Sequence, residues 1–99
     1  MAEPRVRDVP ERHRYELMVD GDVAGFVTYH RASGEITFMH TEIEDAYEGH
    51  GLGGTLAAAV LDDARAKGLR VRPVCPFIQK YIEEHPEYRD LVAPGFDAG

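Results

Sequence analysis

The part of this 99-residue chain with the clearest chemical potential is a glycine-rich loop. Four glycines occupy the six positions from Gly49 to Gly54, and a strongly helical sequence follows them. Glycine permits positive φ and lets a ligand approach the main chain closely. The helix behind the loop directs its unpaired N–H groups and the positive end of its dipole at the same place. A phosphate group is the expected ligand, and a flexible turn without a ligand is the alternative.

The same loop also fits a dinucleotide-binding pattern as a plain string. Residues 49–54 read Gly-His-Gly-Leu-Gly-Gly, which satisfies G-x-G-x-x-G. That pattern belongs between parallel strands, with an acidic residue about 20 positions further on that binds the ribose. Here the region around Val74 and Cys75 carries no carboxylate, and the segments before the loop have the pattern of antiparallel hairpins. We therefore expect a phosphate loop of another kind.

Cysteine and histidine usage limits the remaining chemistry. The single cysteine, Cys75, cannot form an internal disulfide or a cysteine-based metal site. It lies between a predicted strand and a predicted helix N-terminus, where the helix dipole stabilises a thiolate, so it is either a reactive nucleophile or a small buried hydrophobe. The five histidines are scattered, at His13, His30, His40, His50 and His85. None has the i, i+4 partner of a metal-binding helix, so we expect no metal.

Hydrophobic patterns predict the elements that position the loop. Three strands precede it, at residues 15–19, 23–29 and 35–41, with turns at 20–22 and 31–34. Turns this short join antiparallel strands. Because side chains alternate along a strand, the third strand is expected to present two distinct faces. One face is expected to carry Ile36, Phe38 and His40, and the other Thr37, Met39 and Thr41.

The second half of the chain is predicted to form a helix, a strand and a helix. An apolar stripe over residues 52–67 indicates a helix that packs on the sheet, and Gly68 marks its end. A fourth strand follows at residues 69–74, and a strand reached through a crossover helix pairs in parallel. A second helix is expected at residues 77–84, with one further turn at 87–92. The predicted order is β-β-β-α-β-α in an α+β fold with a mixed sheet.

Length and composition describe one globular domain over residues 1–99, with a loosely held lead-in at 1–13 and a tail at 93–99. The net charge of −7 and the lack of any lysine and arginine cluster argue against nucleic acid and favour a cationic co-substrate. No apolar run is long enough to span a bilayer and no secretory signal begins the chain, so we expect a cytoplasmic protein without membrane association. The sequence leaves the oligomeric state open.

Several of these pieces, taken in order, resemble the small GNAT-like N-acetyltransferases. They are the strand end His40-Thr41, the loop 47–54, Cys75-Pro76-Phe77, Tyr81-Ile82 and the segment 85–88, His-Pro-Glu-Tyr. The loop is similar to the family's pyrophosphate loop, (Gln/Arg)-x-x-Gly-x-(Gly/Ala), except that Glu48 stands at its first position. The resemblance implies a minimal GNAT-like acyltransferase fold.

The resemblance also implies a site for acetyl-coenzyme A where the third and fourth strands splay apart. The main chain at Glu42, Ile43 and Glu44 is then expected beside the pantetheine arm, which pairs with backbone as an added strand does. The cofactor-binding loop is expected to comprise Glu48, Gly49, His50, Gly51, Leu52, Gly53 and Gly54. The acceptor implied by the resemblance is a small amine or an exposed protein amine.

Four side chains are candidates for the chemistry of acyl transfer, which needs a base, an acid and a nucleophile. Tyr81 resembles the tyrosine that protonates the coenzyme A thiolate in many GNAT enzymes, and its plainer interpretation is a packing residue. His40 and Glu42 are candidate bases, with a core histidine and a solvated charge as the alternatives. Cys75 is a candidate acetyl-accepting nucleophile. Direct attack of the acceptor amine, assisted by Tyr81, is slightly preferred to the covalent route, because the resemblance to GNAT enzymes implies direct transfer.

Two functions other than catalysis stay open at the sequence level. One is a non-catalytic module that binds coenzyme A or acyl-coenzyme A, which the substitution at Glu48 favours. The other is a GNAT-like interaction domain that binds a protein through an exposed sheet edge.

Overall fold

The computed structural model describes residues 3–96, and its central element is a five-stranded sheet in the order β1-β2-β3-β4-β5. The strands are β1 (Arg5–Val9), β2 (Arg14–Val19), β3 (Asp22–Ala32), β4 (Glu35–Ile43) and β5 (Arg70–Pro73). The first four strands are antiparallel, and β5 lies parallel to β4. Asp20 and Gly21, both at positive φ, form the tight turn that joins β2 to β3.

Two helices cover one face of this sheet. They are α1 (Leu52–Ala66), which crosses over from β4 to β5, and α2 (Pro76–Glu84), which follows β5. Short 3-10 turns lie at residues 10–12, 45–47 and 86–91. Apolar side chains of the sheet and of both helices form one buried cluster, which includes Leu17, Val27, Ile36, Phe38, Leu56, Val60, Leu61 and Ile78. The predicted α+β fold with a mixed sheet is confirmed.

The other face of the sheet is open. Side chains that alternate with the buried cluster point to this face, where His40 and Glu42 are each 61% exposed. Both helices of the described segment, residues 3–96, pack into the cluster on the first face. The open face is therefore available to a ligand or a partner.

The predicted lead-in contains a strand that the sequence analysis missed. Arg5–Val9 pairs with β2 along its whole length, and Val6 packs against the core. Charged residues such as Arg5 and Arg7 are common on edge strands. Because they make up much of this short segment, its hydrophobic pattern is hard to detect in the sequence. The expected fraying from Ala93 is also wrong at its first residue, since Ala93 is buried and its N–H donates to the Val71 carbonyl at 2.8 Å. Residues 1–2 and 97–99 lie outside the described range.

A bulge in β4 reverses the predicted strand faces. Phe38 pairs with Tyr29 and His40 pairs with Thr28, so Met39 is an extra residue without a partner on β3. Because side chains have a period of two, one extra residue exchanges the two faces beyond it. Thr41 therefore shares the helix-covered face with Phe38, and His40 lies on the open face. The expectation for His40 and Thr41 was wrong for this reason, whereas Met39 is exposed, opposite the buried Phe38.

Candidate functional site

A notch opens in the sheet where β4 and β5 part. Their pairing runs only from Glu35 with Arg70 to Phe38 with Pro73. The N–H of Cys75 makes one more bond, to the Phe38 carbonyl at 2.9 Å, and the chain then turns into α2. Within residues 3–96, no strand pairs with residues 39–43 of β4 on the β5 side. An unpaired strand edge of this kind can bind an extended ligand through its main chain.

Unpaired backbone N–H groups converge at the start of α1. Gly51 precedes the helix with a φ of 72°, no side chain caps this end, and Gly49 also has a positive φ, of 83°. Thr55 donates the first helical hydrogen bond, to the Gly51 carbonyl. Within the described chain, the N–H groups of residues 49–54 donate to no protein acceptor. Six donors and a helix dipole make this loop a site for an anion.

The neighbouring residue Glu48 differs from the loop residues because its N–H group is already hydrogen-bonded. Its N–H donates to the Asp45 carbonyl at 3.3 Å, which closes the 3-10 turn before the loop. The side chains of Glu48 and His50 are both exposed. Leu52 is buried beneath the loop and anchors the helix start in the core. The anion site itself is thus made of main chain, not of charged side chains.

Aromatic side chains of α2 pack on the first turn of α1. A Cβ at Gly53 would lie 2.8 Å from Cζ of Phe77, and one at Gly54 would lie 3.8 Å from Cε2 of Tyr81. The two glycines therefore let the helices approach closely at this end. Beside them is a cavity of about 350 Å³. It is lined by Gly54, Phe77, Lys80, Tyr81, Glu84 and His85.

Cys75 lies at the apex of the notch, between the end of β5 and the start of α2. Its sulfur is 3.3 Å from the Thr41 hydroxyl oxygen, and the residue is 3% exposed. As the residue before α2, it stands at the positive end of that helix. Thr41 reaches it only because the bulge at Met39 turned Thr41 towards the helices.

Tyr81 lies on α2 and lines the cavity at the start of α1. Its ring stacks on His85, with centroids 3.9 Å apart, and lies 6.0 Å from the ring of Tyr88. Burial raises the pKa of the Tyr81 phenol, and the charges of Glu87 and Asp62 raise it further. Asp62 is about two helical turns along α1 from Gly54. The Tyr81 hydroxyl makes no hydrogen bond within the described residues, and its role as an acid stays a prediction.

His40 and Glu42 form a pair on the open face beside the notch. His40 Nε2 lies 3.5 Å from Glu42 Oε2. The His40 ring also packs against Phe26 of β3, with centroids 6.3 Å apart. Ile43, the last residue of β4, instead packs against the core. The pair can therefore meet a molecule that approaches the notch from the face opposite the helices.

Sequence reasoning missed two residues of this site. Thr41 was assigned to the wrong face, because a single bulged residue leaves no clear mark on a hydrophobic pattern. Phe77 is 42% exposed despite its size, and an exposed aromatic beside a glycine-rich helix start was the available indication. Among residues 3–96, no three side chains of His, Cys, Asp or Glu come together as a metal site. In the same segment, neither helix is long and apolar enough to cross a membrane.

Comparison with known proteins places this architecture in a family. The model of the GCN5-related N-acetyltransferase family matches residues 14–91. The chain is 31% identical over 94 residues to Protein NATD1 of Mus musculus, which covers 91% of this chain and 86% of that protein. It is 29% identical over 94 residues to Protein NATD1 of Xenopus tropicalis, with the same two coverages.

A solved structure has the same fold. It is the solution structure of a GCN5-like protein from Staphylococcus aureus, with a TM-score of 0.69 and 23% sequence identity. The match covers 94% of this chain and 91% of the other. At this identity the likeness shows the fold alone.

Proposed function

This chain belongs to the GCN5-related N-acetyltransferase family, and we propose that it transfers an acetyl group from acetyl-coenzyme A to an amine. One observation carries the proposal: three binding elements meet at the notch between β4 and β5. They are the unpaired N–H groups of residues 49–54, the free edge of β4 at residues 39–43, and the sulfur of Cys75 at the apex. An anion, an amide-containing arm and a thioester are the three parts of acetyl-coenzyme A.

In this proposal the cofactor lies along the notch with its pyrophosphate at α1. Main-chain N–H groups hold the pyrophosphate, so Glu48 need not act as a basic contact. The pantetheine amides pair with the main chain of β4 near Ile43, as an added strand would. Lys80 and Phe77, beside the cavity at the helix start, are available to the nucleotide end. The acetyl group then reaches Cys75 and Thr41.

The position of Cys75 favours a covalent route over the direct attack that the sequence analysis preferred. The Cys75 sulfur attacks the acetyl carbonyl, its proton passes to the departing coenzyme A sulfur, and one thioester replaces another. The acceptor amine then attacks the Cys75 thioester and loses a proton to His40 or Glu42. The bond from the acetyl carbon to the Cys75 sulfur breaks, and the same proton returns to the sulfur, so that an amide and the free thiol form. Support comes from the position of Cys75 at the apex of the notch, where its sulfur contacts the Thr41 hydroxyl.

The first test is cofactor binding, measured by thermal unfolding with acetyl-coenzyme A, coenzyme A and nicotinamide dinucleotides. A ligand at 100 times its dissociation constant should stabilise the fold by about 2.7 kcal/mol. We expect stabilisation by the two coenzyme A species and none by the dinucleotides. Stabilisation by a dinucleotide alone would contradict the proposal. Binding of coenzyme A with no transfer to any amine would instead indicate a binding module.

The second test separates the two chemical routes. Intact-protein mass spectrometry with acetyl-coenzyme A alone should show one acetyl group, located at Cys75, that transfers to an amine added later. Cys75→Ala should abolish turnover, whereas Tyr81→Phe should change kcat only a few-fold. If Tyr81→Phe lowers kcat by about 100-fold or more and Cys75→Ala does not, transfer is direct and Tyr81 is the acid.

A further inference from the structure

The open face of the sheet carries an arginine cluster that acetyl transfer does not use. Glu16 of β2 is fully buried there, and its carboxylate binds the guanidinium groups of Arg7, Arg12 and Arg14. The hydrogen bond from Arg7, followed by those from Arg14 and Arg12, lowers the pKa of Glu16 to about 2. One carboxylate meets three guanidinium groups, so this cluster keeps a local excess of positive charge. The whole chain has a net charge of −7.

Strand register connects this cluster to the notch. Arg14 of β2 pairs with Thr28 of β3, which pairs with His40 of β4. These residues form one row across the open face. In the adjacent row, Glu16 pairs with Phe26, which pairs with Glu42.

Side-chain contacts follow the same path across the sheet. The Arg14 guanidinium carbon lies 4.6 Å above the centre of the Phe26 ring. That ring also packs against His40, with centroids 6.3 Å apart. A continuous surface thus joins an acidic end at Glu42 to a basic end at Arg14.

We propose that this surface binds the acetyl acceptor as a peptide segment, with its amine at His40 and Glu42 and an acidic side chain at Arg14. This inference rests on the proposed function, because it assigns the acceptor of the same site. The carboxylate of Glu42 holds the cationic amine beside the notch. Arg14 binds Glu16 through Nε and Nη2, and its remaining N–H donors, on Nη1, can bind the carboxylate of the peptide. Phe26 contacts the aliphatic part between the two charges.

The spacing of the strands defines the acceptor more closely. Two inter-strand steps separate β4 from β2, a distance of about 10 Å. An extended peptide advances about 3.3 Å per residue, so the acidic side chain stands two or three residues from the amine. A peptide fits this surface because its charges and contacts extend across three strands. The overall acidity of the chain had suggested a purely cationic co-substrate, and the arginine cluster corrects that expectation for this face.

The test compares two acceptor peptides of equal length. Each carries one amine, and they differ only in having glutamate or glutamine three residues from it. We expect kcat/KM to be about tenfold or more higher for the glutamate peptide, since a charge-assisted hydrogen bond is at stake. Equal values for the two peptides would overturn the inference. Acetylation of free lysine faster than either peptide would also overturn it.

Variants of Arg14 test whether the preference for the glutamate peptide arises at this surface. Arg14→Gln should lower kcat/KM for the glutamate peptide much more than for the glutamine peptide, so that the preference between them is lost. Arg14→Lys keeps the charge beside Glu16 and should lose only part of the preference, because one ammonium group replaces the several fixed donors of the guanidinium. Arg89→Gln removes one exposed positive charge outside the open face and is the matched control. An equal loss for both peptides in Arg14→Gln would indicate a structural role and contradict the proposal.

A binding measurement separates failure of this inference from failure of the proposed function. The unacetylated glutamate peptide is titrated into the isotope-labelled protein while amide chemical shifts of β2, β3 and β4 are followed. Shifts there, weakened by Arg14→Gln, support the surface even if acetyl-coenzyme A does not bind. Normal binding of acetyl-coenzyme A with no peptide-induced shifts on the open face would defeat the inference alone.

Discussion

The two ends of α1 differ in how their polar groups are satisfied. Towards the C-terminus, Asp63 accepts hydrogen bonds from Tyr15 and Lys67, and Asp62 accepts one from Tyr88. At the other end no side chain caps the helix, and the N–H groups of residues 49–54 donate to no acceptor in the described chain. A helix fixed firmly at one end can hold unpaired donors in place at the other, ready for a ligand.

The same contrast appears in the titrating groups. Burial and the hydrogen bond to Asp63 raise the pKa of Tyr15, and burial and Asp62 raise that of Tyr88 to about 12. Although burial acts against it, hydrogen bonds from Lys67 and Tyr15 lower the pKa of Asp63. The anchored end, the C-terminal half of α1 with its contacts to β1, β2 and residues 86–91, is thus stabilised by matched polar pairs. The ligand end, residues 49–54, the edge of β4 and the start of α2, keeps its donors unmatched.

The largest effect on stability is expected from Glu16, which joins β1 to β2 on the face of the sheet opposite the anchored end. Its folded-state pKa of about 2 lies below the ordinary value of 4.5, so its contribution is complete above pH 4.5 and is lost as pH falls towards 2. Glu16→Gln should lower the free energy of unfolding by about 3 kcal/mol at pH 7. Near pH 2 the variant and the wild type should converge.

Urea unfolding at several pH values measures this difference. Glu83→Gln, which removes an exposed carboxylate from α2, is the control and should show little change at any pH. A difference between Glu16→Gln and the wild type that stays constant down to pH 2 would contradict the ionic explanation.

A matched pair of glycines tests the two ends of α1 directly. Gly51 before the helix and Gly68 after it have φ values of 72° and 68°, and a Cβ at either meets nothing within 4 Å. Replacing either with alanine should lower the free energy of unfolding by about 1 kcal/mol, through backbone strain alone. Only Gly51→Ala should also weaken acetyl-coenzyme A binding, by about 10-fold to 100-fold, because it disturbs hydrogen bonds to an anion.

Calorimetric titration with acetyl-coenzyme A and urea unfolding give both quantities for each variant. Equal affinities in Gly51→Ala and Gly68→Ala would show that the pyrophosphate does not bind at this loop.

The smallest effect is expected from a pair of tyrosines. Tyr15→Phe removes the hydrogen bond to Asp63 and should lower the free energy of unfolding by about 1 kcal/mol, with acetyl-coenzyme A affinity unchanged. Tyr81→Phe should cost little stability, since within the described residues the Tyr81 hydroxyl makes no hydrogen bond to the protein. Differential scanning calorimetry measures both. A change in cofactor affinity in Tyr15→Phe would mean that the two ends of α1 are coupled.

The features that could be predicted from the sequence are those that depend on neighbouring residues. Glycines at 49–54 followed by a helical apolar stripe predicted the uncapped helix start, because positive φ and helix periodicity depend on neighbouring residues only. The Asp20-Gly21 turn and the crossover from β4 to β5 followed from turn chemistry and handedness in the same way. Those features were sufficient to predict the mixed sheet, whereas the family was predicted from the resemblance that the loop shares with residues 75–77, 81–82 and 85–88.

Contacts between side chains on different strands could not be predicted, because they depend on the folded sheet. The bulge at Met39 exchanged His40 and Thr41 between faces, and this brought Thr41 to Cys75 and His40 to Phe26. The row that joins Arg14 to His40 depends on the register of three strands. Register and bulges are fixed by packing between segments distant in sequence, and a single hydrophobic pattern does not encode them. The binding loop could therefore be predicted from the sequence, whereas the composition of the acceptor surface required the assembled sheet.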